Sequence, residues 1–113
     1  MRRIQIIGNL GNNCTEKIFK DSKAVHFSVC VNEKFTTKDG EKKESSYWYD
    51  CTLWVPSSRT TDYSKFFTKG SRFFIEGIPG VYTYTKGNET IAGISINVEK
   101  FVIIDIKATG EGE

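Results

Sequence analysis

Apolar and polar residues alternate along most of this chain with a period of two. The β-branched and aromatic runs are separated by short turn signals, a pattern that predicts an all-β domain. The first run, residues 3–10, carries Ile4, Ile6 and Ile7 and then Gly8, and a glycine inside a strand predicts a bulge or sharp bend. In the second, residues 24–32, Val25, Phe27, Val29 and Val31 alternate with His26, Ser28, Cys30 and Asn32, so one face is buried and one is wet. Lys38-Asp39-Gly40-Glu41 is a hairpin signal leading to a third run over 46–55. Beyond it, Thr60-Thr61-Asp62 offers caps, Tyr63, Phe66 and Phe67 fall at helical spacing, and Gly70 is a stop; together they predict a helix of about two turns. A fourth strand follows over 71–77. Residues 81–85 and 91–96 form a hairpin across Lys86-Gly87-Asn88-Glu89, residues 98–104 complete the last strand, and 108–113 reads as a disordered end.

Five strands with a short helix between the third and fourth match the layout of an OB-fold barrel. In that fold the face of the second and third strands, with the neighbouring loops, forms the ligand site. At 113 residues the chain has room for one such domain, expected over 1–107.

Composition sharpens this. Eight Phe, five Tyr and two Trp are more aromatic surface than a small core obviously needs. With 16 basic and 14 acidic residues the net charge is only +2, so any attraction to a polyanion must come from local placement of charge. The three cysteines, Cys14, Cys30 and Cys51, are widely spaced and form no CxxC pair. They indicate neither a disulfide framework nor a zinc ribbon, and a reducing, cytosolic compartment fits them best. No apolar stretch is long enough for a secretory signal or a membrane span.

The third run carries the most chemistry. Alternation puts Tyr47, Tyr49, Cys51, Leu53 and Val55 on one face, a sufficient core face, and leaves Trp48 and Trp54 on the other with Asp50 and Thr52. The two indoles then stand roughly 20 Å apart by strand rise, either as stacking platforms for bases or as residues packed in an interface or under a loop.

Several short motifs settle the direction of the reading. Ile6-Ile7-Gly8-Asn9-Leu10-Gly11 resembles the opening strand of bacterial single-stranded-DNA-binding proteins. Val31-Asn32-Glu33-Lys34-Phe35, Tyr47-Trp48, Lys69-Gly70-Ser71 and Phe74-Ile75-Glu76-Gly77 are similar to later motifs of that family and occur in its order. The resemblance implies an OB-fold that binds single-stranded DNA without regard to sequence, with bases stacked on Phe35, Trp48, Trp54 and Tyr84, and a homotetrameric assembly. Phe35 shares the parity of Val29 and Val31, so it is expected to reach the wet face only if the strand ends or bulges near Asn32. Arg3 and Lys17 match basic family positions, and with Lys69, Lys34, Lys43 and Lys86 they are the candidate phosphate contacts. Interleaved acids such as Glu33, Glu41 and Glu89 make a solvated surface charge the competing reading for each.

Three departures accompany the resemblance. Gly80-Val81-Tyr82-Thr83 stands where the family carries a basic run, Tyr49 stands where it usually has His, and no acidic tip follows Ala108 to recruit replication proteins. An enzyme is the poorer alternative: His26 and Cys30 lie about 13 Å apart by strand rise, too far for a dyad, and Asn9-Leu10-Gly11 has no P-loop setting. No cofactor or metal is expected. The nearer alternative is another OB module, RNA-binding or primosomal. The expected location is the cytoplasm, at the nucleoid.

Overall fold

The computed structural model describes residues 1–107, so the end expected over 108–113 lies outside the described residues. Six strands run in chain order: β1 (Ile4–Leu10), β2 (Thr15–Ile18), β3 (Ser22–Thr36), β4 (Lys42–Pro56), β5 (Arg72–Lys86) and β6 (Glu89–Asp105). Their pairing order is β1-β5-β6-β4-β3-β2, and a further β1–β3 pairing closes β1, β5, β6, β4 and β3 into a ring. All neighbours are antiparallel except β4 and β6, which run parallel. This is the predicted five-stranded OB barrel, with β2 added outside it.

Closure depends on β1 changing partners. Its first residues pair with β5, from Ile4↔Gly77 to Asn9↔Arg72, and its last two pair with β3, Asn9↔Cys30 and Leu10↔Val29. Gly8 sits at the crossing, where a Cβ would run into the Cys30 carbonyl oxygen. The bend expected from the sequence is therefore imposed by close backbone approach.

Four elements differ from the sequence reading. β5 and β6 are each continuous where breaks were expected near Pro79 and Asn97. The last residue of β5 to pair with β1 is Gly77, so Pro79 occupies a single-sided stretch of strand, where its missing N–H costs no second ladder. β2 was not anticipated because its four residues are all exposed and carry no alternation of burial. Finally, the two-turn helix is a single 3₁₀ turn, Tyr63–Lys65, capped by Asp62, whose carboxylate accepts from the Ser64 N–H at 3.2 Å. Tyr63 and Phe67 are both anchored in the core, which holds the segment as a connector, and a helix this short gains little from propagation once its nucleus has formed.

The core is aromatic. Phe67 is fully buried and stacks on Phe27 at 4.5 Å and on Phe73 at 4.7 Å between ring centroids, with Tyr63, Phe66 and Phe101 around it. Much of the aromatic surplus noted in the composition is therefore structural. Cys51 lies in this core, and burial pushes its thiol pKa up to about 12, so it stays neutral at physiological pH.

Beyond the barrel, the β3–β4 hairpin and the distal halves of β5 and β6 project as two arms exposed on both faces. Replacing Phe67 by alanine removes the ring at the centre of the aromatic stack. It is expected to cost about 3–5 kcal/mol and to lower the melting temperature by well over ten degrees in thermal unfolding followed by circular dichroism.

Candidate nucleic-acid interface

Once Cys51, Leu53 and Val55 point into the core, the pleat of β4 turns Trp48, Asp50, Thr52 and Trp54 outward. Both indoles are exposed, Trp48 at 57% and Trp54 at 49%. In this chain they are neither core residues nor covered by a loop.

Cross-strand register extends this face over neighbouring strands. Trp54 lies opposite Ala24, which lies opposite Lys17 of β2. Phe19, just past β2, packs against Trp54 with centroids 5.4 Å apart, and the Lys17 ammonium stands 5.5 Å from the Phe19 ring. A cation, a phenyl ring and an indole thus form one continuous step. Next along the face, Thr52 pairs with His26 and binds its Nδ1 at 3.0 Å. A cleft of about 350 Å³ runs here between Trp54, Thr52 and His26 on one side and Arg2, Pro79 and Asn97 on the other.

Trp48 lies opposite Cys30, and the far edge of its indole rests against Gly11, where a Cβ would collide with it. Across a second cleft of about 410 Å³ stand Tyr82 and Tyr84 of β5. Their rings stack at 6.1 Å with an interplanar angle of 25°, and both are exposed. Tyr82 lies over Gly93 of β6 and donates its hydroxyl hydrogen to Asp50. Trp54, Trp48, Tyr82 and Tyr84 therefore occupy one outward face.

Phe35 differs. The β3–β4 pairing runs in register from Asn32↔Ser46 to Thr36↔Lys42, with neither the strand end nor the bulge expected near Asn32. Phe35 keeps the inward parity of Val29 and Val31 and is exposed because the arm has left the barrel. It shares a cleft of about 510 Å³ with Lys34, Lys42, Lys43 and Glu44.

The basic candidates separate into groups. Lys34 and Lys43 flank Phe35, Lys17 adjoins Trp54 through Phe19, and Lys86 ends the β5 arm opposite Glu89. Lys69 is exposed in the loop beside Asn13, whose side chain accepts its backbone N–H at 2.8 Å. Arg3, by contrast, is ion-paired with Glu99 and lies 3.8 Å from Glu76. Arg2 is the residue that lines the Trp54 cleft, donating to the Pro79 carbonyl at 2.7 Å.

Sequence reasoning missed Arg2, Phe19 and Tyr82 as members of this face. Tyr82 had a usable signal, since it shares the parity of Tyr84. Arg2 had none, because its place depends on the long-range pairing Ile4↔Gly77. Among the described residues no group of three or more potential metal ligands comes together.

A sequence model of the single-strand binding protein family matches residues 1–104. The chain belongs to this family. Single-stranded-DNA binding is accordingly its activity, and the family is one of binding proteins. Solved structures with the same fold include a Plasmodium falciparum SSB in complex with ssDNA, 22% identical, covering 95% of this chain and 96% of that one with a TM-score of 0.69. A small single-stranded DNA-binding protein from Streptomyces coelicolor is 14% identical over 90% of this chain and 93% of its own, at a TM-score of 0.67. A deletion mutant of the Thermus aquaticus single-stranded DNA binding protein is 15% identical at the same TM-score, 0.67, covering 99% of this chain and 52% of its own length. No curated protein sequence matches. No helix among the described residues is long and apolar enough to cross a membrane.

The seat of Trp48 gives a direct check. Gly11→Ala pushes the indole off its bed without touching the core. The expected result is a shift in tryptophan emission and single-strand affinity weakened by up to about tenfold, with folding stability changed by less than about 1 kcal/mol.

Proposed function

We propose that this protein binds single-stranded DNA without reading its order of bases, laying successive bases on Trp54, Trp48 and Tyr84 while lysines meet the phosphates. The observation that carries this is the exposure of these rings on one continuous outward face, in a chain whose core is already filled by other aromatics. Base-aromatic stacking contributes roughly 1–3 kcal/mol per base and tolerates any base, because each has a π face. Phe35 acts as an outlying platform, reached by a strand that wraps over the edge of the β3–β4 arm between Lys34 and Lys43.

Phosphate contacts are assigned to Lys17, Lys34, Lys43, Lys69 and Lys86. Arg3 contributes least, since a phosphate would have to displace Glu99 and Glu76. The protein acts by binding and not by catalysis, protecting single strands during replication, recombination and repair in the cytoplasm, at the nucleoid. It works as a homo-oligomer, a tetramer on the family pattern. In support, Ile4 to Ile7 of β1 pair only with β5, leaving one edge open, and Ile7, Val102 and Ile104 expose apolar surface near it.

Fluorescence titration with a mixed-sequence single strand, the same sequence as duplex and its RNA counterpart tests the reading. Tight binding to the DNA single strand with quenching of Trp48 and Trp54 is expected, and equal affinity for duplex would contradict it. Trp48→Ala and Trp54→Ala should each weaken binding by roughly 1–3 kcal/mol. Five phosphate contacts at about 0.7 each give a log-log salt slope near −3.5. A flat salt response would remove the assigned lysines from the interface.

A further inference from the structure

Asp50 is an unusual residue to find between two stacking platforms. It faces outward on β4 between Trp48 and Thr52, pairs across the sheet with Ser28 of β3 and Ser95 of β6, and lines the cleft shared by Trp48, Tyr82 and Tyr84. It is exposed and, among the described residues, no lysine or arginine lies within ion-pair distance of it. Among the described residues its one side-chain partner is the Tyr82 hydroxyl, which donates to one carboxylate oxygen. For a protein that binds a polyanion, an unneutralised carboxylate here works against phosphate contact, and Tyr82 fixes it in place.

What a fixed carboxylate can do on such a face is accept hydrogen bonds from base edges. An ionised carboxylate is acceptor-only, and with one oxygen engaged by Tyr82 it keeps lone pairs free on the other. Cytosine and adenine present exocyclic amino donors, and guanine presents an amino group beside a ring N–H. Thymine offers a single ring N–H flanked by two carbonyl oxygens, which a carboxylate repels. A base stacked on Trp48 or on the Tyr82–Tyr84 pair would bring its polar edge toward Asp50, since all these groups line one cleft. The carboxylate therefore discriminates by donor content, and no particular sequence is needed.

We propose that Asp50, held by Tyr82, makes this protein disfavour thymine and favour bases carrying amino donors, a bias in base composition laid over binding that ignores sequence order. The inference rests on the stacking reading above.

It is tested by measuring the affinities of oligo-dC and oligo-dT for the full chain and for Asp50→Asn and Tyr82→Phe, each as a ratio, so that intrinsic differences between the two strands cancel between variants. Asp50→Asn is expected to lower the dC-to-dT affinity ratio of the wild type by roughly fivefold, the low end of discrimination by one side chain at a base edge. The change comes chiefly from a gain in dT affinity, because an amide can donate to a thymine carbonyl. Tyr82→Phe keeps the ring, releases the carboxylate and lowers the ratio by a smaller amount. If Asp50→Asn strengthens both strands by the same factor, Asp50 acts only as bulk charge and the proposal is overturned. Failure of wild type to bind either strand would instead overturn the stacking reading itself.

Discussion

With Cys51, Leu53 and Val55 anchored around Phe67, the alternation of the pleat leaves Trp48, Asp50, Thr52 and Trp54 no direction but outward. The outward face of β4 is thus a by-product of core packing, and everything on it inherits the rigidity of the core. Neighbouring strands add to it by register: Lys17 and Ala24 align with Trp54, His26 with Thr52, and Ser95 with Asp50. Small residues complete it, because Gly11 leaves room for the far edge of the Trp48 indole and Gly93 for the phenol end of Tyr82. Platforms held this way lose little side-chain entropy when a base arrives, which favours stacking as the source of affinity.

Electrostatics on this surface is divided. Lysines gather at the arm tips and beside Phe19, while the middle of the face carries Asp50 with, among the described residues, no cation beside it. The Tyr82 hydroxyl is turned to this carboxylate. In the proposed mode of binding the centre of the face takes the bases and its margins the backbone. Such a division suits a ligand whose bases splay inward and whose phosphates run along the rim.

Much of this was legible in the sequence. Strict alternation in residues 46–55 assigned the two tryptophans to the side away from the core, and Gly8 marked the bend that closes the barrel. What escaped has physical causes. β2 has no buried face and so no periodic signal. The helical spacing of Tyr63 and Phe67 reflects two anchors in the core on either side of a single 3₁₀ turn. Exposure of Phe35 follows from where the barrel ends, a global property that strand parity does not record. The places of Arg2 at the Trp54 cleft and of Arg3 in an ion pair turn on which strand β1 pairs with, and on acids at Glu76 and Glu99 far along the chain.

The proposed function turns on where the bases lie, and a crystal structure of the protein with a short single strand of mixed sequence would locate them. Base rings are expected in face-to-face contact with Trp54, Trp48 and Tyr84, about 3.5 Å from the side-chain planes, with phosphates toward Lys17 and the arm lysines. A strand bound along the lysines with the outward face of β4 left bare would contradict it.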